Sequence, residues 1–158
     1  MTLIFTPESL HTDIATFLFN SLKDEVKWEN GIRSKKGFTR KAFAVPQDSP
    51  LMEELMVYVT TVLEKMETKC AYAMLGIYLN YYQNGEMYTP SHKHPGTHQL
   101  IISLGTTRTL KVGSKSYPMK NGDSILFDSQ LHSVPKESSV VDGRISIATF
   151  MLPMAPMV

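Results

Sequence analysis

Residues 79–112 read LNYYQNGEMYTPSHKHPGTHQLIISLGTTRTLKV, and their pattern decides the fold. Apolar and polar residues alternate in short runs on both sides of a polar centre, and turn residues such as Asn84-Gly85 break the runs. Such runs, spaced by turns, predict antiparallel strands. The texture extends in both directions: strands are predicted over 74–82, 99–104, 107–112, 116–119, 124–127 and 145–151, with further turns at Gly113-Ser114 and Asn121-Gly122. Upstream the apolar period lengthens to that of a helix. Thr6-Pro7-Glu8 reads as a cap and first turn before Leu10, Ile14, Phe17, Leu18 and Leu22, predicting a helix over 7–24. Ser49-Pro50 repeats the signal before Leu51, Leu55, Val59, Val62, Leu63 and Met66, predicting a second helix to about residue 68. Helices first and antiparallel strands second make the chain α+β.

At 158 residues the chain fits one domain, 1–158, with mainly helical support and a basic segment in 1–70 and the strands in 71–151. Hydrophobic residues at 42% and charged residues at 20% exclude disordered, collagen-like and coiled-coil classes. The longest apolar run, 71–79, is about half of the roughly 20 residues that cross a bilayer, so no membrane span is expected. The first ten residues lack the basic start of a secretory signal, and the lone Cys70 fits a reducing compartment, so an intracellular protein is expected. The ending LPMAPMV reads as a loosely held tail.

Net charge is +1, but 27–41 concentrates Lys27, Arg33, Lys35, Lys36, Arg40 and Lys41 against Glu29 alone. This segment reads either as a solvated basic loop or as a contact for the phosphates of single-stranded nucleic acid or a nucleotide. In the second case Lys35, Lys36 and Arg40 hold phosphate, while Trp28, Phe38 and Phe43 are available to stack on bases.

Three of the five histidines, His92, His94 and His98, fall in seven residues. On an extended chain, positions i and i+2 share a face, so His92 and His94 can reach one metal ion. His132 follows the strand predicted over 124–127 and is the candidate third ligand, because a closed jellyroll brings distant strand ends together. Imidazole suits Fe, Zn, Cu or Ni, and His-x-His in a surface loop is also an ordinary polar turn. His98 reads as a partner behind the ligands or as a surface residue. Five of the seven tyrosines, Tyr72, Tyr78, Tyr81, Tyr82 and Tyr88, cluster around this region, with Tyr88 expected nearest a substrate.

Taken in order, LNYYQNGEMYTPSHKH, QLIISLGTTRTLKV, NGDSILFDSQLHSVP and GRISIATF resemble the AlkB-like branch of the Fe(II)/2-oxoglutarate-dependent dioxygenases over about residues 72–151. The resemblance implies a double-stranded β-helix (jellyroll) core with supporting N-terminal helices. It makes His92 the first iron ligand and His132 the distal one, with 2-oxoglutarate as cosubstrate and O2 as oxidant. Arg144 would hold the far carboxylate of 2-oxoglutarate, for which a guanidinium fork is well shaped. Ser146, on the same face, would add a hydroxyl, and Asn80 and Tyr82 would line the cosubstrate pocket. Extended to substrate, the resemblance implies hydroxylation of a nucleobase N-methyl group, leading to demethylation.

Two positions depart from the family. Its second ligand is Asp, where this chain has His94, so three arrangements are open. His94 ligates, or it turns away, or Glu86, Asp123 or Asp128 substitutes. The family's second arginine on the last strand is replaced by Met151, or by Phe150 if the strand is aligned from Arg144. Two rival readings accommodate these departures. One is a three-His cupin-type dioxygenase that binds its organic substrate directly to iron without 2-oxoglutarate. The other is a catalytically degenerate binding module.

Overall fold

The computed structural model describes residues 2–31, 33–34, 37–68 and 70–154. In chain order the elements are β1 (Leu3–Thr6), α1 (Thr12–Glu25), β2 (Glu29–Asn30), β3 (Arg33–Ser34), β4 (Gly37–Phe38), β5 (Lys41–Ala44), α2 (Pro50–Met66), β6 (Tyr72–Tyr82), β7 (Thr89–His92), β8 (His98–Gly105), β9 (Arg108–Val112), β10 (Lys115–Met119), β11 (Ser124–Phe127), β12 (His132–Val134) and β13 (Arg144–Pro153). A seven-stranded sheet runs β1-β11-β8-β13-β6-β5-β2, a four-stranded sheet runs β10-β9-β12-β7, and β3 and β4 pair separately. All pairings are antiparallel. This is the expected α+β jellyroll.

The period-2 alternation of the strands divides the core in two. On β8 and β13, Leu100, Ile102, Leu104, Ile145, Ile147 and Met151 face the helices, where they pack with Leu18 and Leu22 of α1 and with Leu55, Val59 and Val62 of α2. The alternate residues Ile101 and Ala148 face the smaller sheet and pack with Leu110, Val112, Phe127 and Val134. Arg144 and Ser146 share this inner face with Ala148 and Phe150, so the alternation that buries the core also delivers polar groups between the sheets.

The second helix starts as its sequence predicts. Ser49 is the N-cap, its Oγ accepting from the Met52 N–H at 3.1 Å, and Pro50 opens the helix. The first helix does not. Residues 3–6 pair with β11 instead, Leu3 opposite Phe127 and Thr6 opposite Ser124. Residues 7–10 then turn: Glu8, at φ 50°, donates its N–H to Asp123 Oδ1 at 3.0 Å, and Ser9 Oγ donates to the Gly122 carbonyl at 2.9 Å. Tertiary pairing therefore overrides the Thr-Pro-Glu signal, and His11 becomes the N-cap by accepting from the Asp13 N–H at 3.1 Å. Gly122, at φ 92°, allows this close approach, since a Cβ there would strike the Leu10 carbonyl. The first 70 residues thus supply β1 to β5 as well as the two helices. Among the described residues no helix is long and apolar enough to cross a membrane.

Candidate metal centre and its cavity

Two short strands carry the first and last candidate ligands. β7 ends at His92 and β12 begins at His132, and these two residues lie directly opposite each other in the small sheet. His94 follows in the loop to β8. The three rings approach at centroid distances of 4.2 Å for His92–His132, 4.9 Å for His92–His94 and 5.6 Å for His94–His132. One nitrogen from each lies within 4.8 Å of the others, near the roughly 4 Å that metal–imidazole bonds of about 2.0–2.1 Å allow between two ligands.

The tautomers are arranged for ligation. His92 Nδ1 donates to the Pro90 carbonyl at 2.8 Å and His132 Nδ1 to the Gln130 carbonyl at 3.1 Å, which turns both Nε2 lone pairs toward the cluster, that of His132 facing the Gln99 amide at 3.4 Å. Burial pushes the His132 pKa down to about 4, with the neighbouring His92 and His94 adding to the effect and the Gln130 carbonyl opposing it. Burial, with His92 alongside, also lowers His94. His132 and His94 are therefore held in the neutral form, the one that binds metal. None of the acids considered as a substitute takes part. Glu86 is exposed, Asp123 accepts from the Glu8 and Lys120 N–H groups, and Asp128 accepts from the Thr2 and Ser129 N–H groups. His98 lies away from the cluster, its Nδ1 2.9 Å from the Tyr72 hydroxyl and its Nε2 3.8 Å from Asp128.

The histidines open onto a cavity of about 740 Å³ between the sheets, lined also by Asn80, Tyr82, Gln99, Arg144, Ser146 and Phe150. The register explains the company. Arg144 lies opposite Tyr82 and Ser146 opposite Asn80, so two i, i+2 pairs from adjacent strands form one inward patch. Arg144 is 1% exposed, its Nε donates to Ser103 Oγ at 2.9 Å, and its Nη2 has no hydrogen-bond partner. Burial lowers its pKa to about 10, so it keeps its charge at neutral pH, yet among the described residues no carboxylate lies within 4 Å of it. A buried cation without a counter-charge is costly, and an anionic ligand in the cavity would relieve that cost.

Several residues stand elsewhere than the sequence reading placed them. Arg40, read as a phosphate contact, lies in the cavity wall, its Nε donating to Asn80 Oδ1 at 2.8 Å and its Nη1 to Thr39 Oγ1 at 3.1 Å. Lys35 and Lys36 lie outside the described residues, as does the side chain of Phe38. Trp28 and Phe43, candidates for stacking on bases, are partly buried against the helix-side core, and Phe43 also borders the cavity. Tyr78, not Tyr88, lines the cavity, its ring 5.3 Å from Phe150. Phe150 takes the inward position where the family's second arginine was sought, and Met151 is buried on the helix side. Gln99 was missed: it is 2% exposed and its amide lies 3.4 Å from His132 Nε2. A lone glutamine opening the apolar run QLIISL was the available signal.

No family model matches this sequence, and no curated protein matches it. Solved structures do resemble it. The viral collagen prolyl hydroxylase of Paramecium Bursaria Chlorella virus-1, in complex with 2OG, is 13% identical with a TM-score of 0.64, covering 96% of each chain. The non-heme alpha ketoglutarate dependent epimerase SnoN from nogalamycin biosynthesis is 15% identical with a TM-score of 0.72, covering 95% of this chain and 77% of that one. A Pseudomonas putida prolyl-4-hydroxylase is 10% identical with a TM-score of 0.60, covering 97% and 93%. The protein therefore has the jellyroll fold that these enzymes share.

Proposed function

We propose that the protein is an Fe(II)/2-oxoglutarate-dependent oxygenase with a three-histidine metal centre. The observation that carries this reading is Arg144: a fully buried, unpaired guanidinium in the same cavity as three convergent imidazoles. The donor set fits the metal, with three imidazoles converging and the Nε2 atoms of His92 and His132 turned toward the cluster, and the open Nη2 fits a carboxylate. The named chemistry of the solved enzymes with this fold, 2OG- or alpha ketoglutarate-dependent, supports it.

Iron with 2-oxoglutarate and O2 supplies oxidative decarboxylation of the cosubstrate, coupled to hydroxylation of an unreactive C–H bond. His92, His94 and His132 hold the ion. Arg144 binds the far carboxylate and so fixes the orientation of the cosubstrate, with Ser146 and Asn80 beside it as further polar groups. Tyr82, anchored by its hydroxyl to Thr89 Oγ1 at 2.6 Å, walls this end of the cavity. The two sheets wall the cavity and limit the access of bulk water to the reacting centre.

The AlkB-like refinement, with demethylation of a nucleobase, rests on the order of motifs over 72–151 and on the charge of 27–41. His94 in the ligand set favours one second reading, a three-His dioxygenase that binds its substrate directly to the metal. That reading leaves the charge of Arg144 without a role.

Anaerobic titration of the Fe(II)-loaded protein with 2-oxoglutarate tests the proposal. A visible metal-to-ligand charge-transfer band that disappears in Arg144→Ala is expected. A native protein without the band, and a His94→Asp variant with it, would transfer the assignment to the second reading.

A further inference from the structure

Resting on the oxygenase reading, the charges that line the cavity point to the class of its prime substrate. Among the described residues the charged side chains in the wall are Arg40, Arg144 and Glu29, and Glu29 is exposed on edge strand β2. Three neutral imidazoles in place of two and a carboxylate leave a divalent ion with one more positive charge. A dianionic cosubstrate matched to the metal and Arg144 leaves Arg40 unneutralised.

Arg40 is also held in a defined pose. Its Nε and Nη1 are engaged by Asn80 and Thr39, which leaves Nη2 without a hydrogen-bond partner among the described residues. No carboxylate there lies within 4 Å of it, Glu29 included. A guanidinium fixed at Nε and Nη1 presents its Nη2 as a preorganised charged donor for an oxyanion. The surrounding wall, with Ala42, Ala44, Tyr78 and Phe150, is apolar and takes the remainder of the molecule. Gly76 adds no side chain to this wall; its φ is not positive and a Cβ there would make only ordinary contacts, the nearest at 3.5 Å.

We propose that Arg40 anchors an acidic prime substrate, a small molecule whose carboxylate or phosphate group rests against this guanidinium inside the cavity. The volume of about 740 Å³ suits one compact ligand beside the cosubstrate, which favours a small molecule over a polymer.

The test uses matched probes: hydrocinnamate against hydrocinnamamide, and phenyl phosphate against phenol. Binding is measured by calorimetry to anaerobic Fe(II)-loaded protein saturated with 2-oxoglutarate, and in parallel to metal-free protein. At least one acid is expected to bind about tenfold or more tightly than its neutral partner, the usual margin of a charge-assisted hydrogen bond. Arg40→Gln should erase this preference and Arg40→Lys should restore part of it, and both should lower 2-oxoglutarate affinity far less than Arg144→Ala does, although Arg40 bonds Asn80. No acid preference in the native protein overturns the proposal. So does a loss of 2-oxoglutarate affinity in Arg40→Gln as large as that in Arg144→Ala, which would assign Arg40 to the cosubstrate. A single-stranded oligonucleotide that outcompetes every small acid and depends on Arg40 overturns it in favour of a polymer. Failure of the native protein to bind 2-oxoglutarate strikes the oxygenase reading instead, and the metal-free measurement reports on Arg40 independently.

Discussion

Arg108 and Arg144 approach the same ring, Tyr82, at 5.3 and 5.4 Å, and both are 1% exposed, yet only Arg108 is fully engaged. Arg108 donates to the carbonyls of Asn84, Met87 and Pro135 and lies 3.4 Å from Glu137 Oε1. Arg144 has Ser103 and an open Nη2. One guanidinium ties loops together and the other is held ready for a ligand.

This contrast gives opposite signs on removal. Arg108→Met should destabilise the protein by about 3–5 kcal/mol, since buried carbonyls and Glu137 lose their donor together. Arg144→Met should leave the ligand-free protein unchanged or more stable by about 1 kcal/mol, because a buried unpaired charge is removed. Urea unfolding without ligands measures both, and destabilisation by Arg144→Met comparable to that of Arg108→Met would refute the contrast.

Stability of the metal-free protein should rise with pH across the window set by His132. Its folded pKa of about 4 lies below the ordinary value of 6.5, so between these the unfolded chain binds more protons than the folded one. Acidification through that window therefore favours unfolding, and above it the contribution is complete. His94, also lowered, acts with the same sign. Urea midpoints in chelator at a series of pH values should show this slope, and His132→Gln should flatten it.

Metal binding must displace the Gln99 amide, which faces the Nε2 lone pair of His132 at 3.4 Å. Gln99→Leu removes that competitor and should tighten metal binding about two- to fivefold, the value of one modest hydrogen bond. Competition against a chromophoric chelator measures it, and unchanged affinity would mean that the amide does not hold the lone pair.

The proposed nucleic-acid contact predicts that Lys35→Ala/Lys36→Ala weakens single-stranded DNA binding and lowers the slope of log affinity against log salt by about 1.4, as loss of two phosphate contacts requires. Keeping Arg40 native in this variant separates the basic segment from the cavity. Unchanged affinity removes the nucleic-acid part and leaves the oxygenase chemistry untouched.

What the sequence disclosed depended on how local each signal was. β6, β8 and β13 announced themselves by long apolar alternation, and α2 by Ser49-Pro50. β7 and β12 have four and three residues, TPSH and HSV, with too little apolar content to register, although they carry His92 and His132. Their pairing is a property of the closed sheet. β1, four residues that end on the Thr6 read as a helix cap, is recognisable only by its pairing with β11. Arg144, Ser146, Asn80 and Tyr82 were brought together by the family resemblance, with i, i+2 spacing putting each pair on one face, whereas Arg40 was beyond such reasoning because its cavity partner is 40 residues away.

The bulge between β13 and β6 has a bearing on how the protein can change. Phe150 pairs with Gly76 and Met151 with Met74, so Leu75 is the extra residue, and it contributes to the cavity rim with its carbonyl held by Gln47 at 2.8 Å. Between Arg144 and Phe150 the ladder runs in step, and the pairing slips only past the proposed cosubstrate pocket. Insertions or substitutions at the rim can therefore be absorbed without shifting the register of Arg144 and Ser146. The fold separates a part that lineages can vary to meet new molecules from a part that must stay fixed for the chemistry to persist.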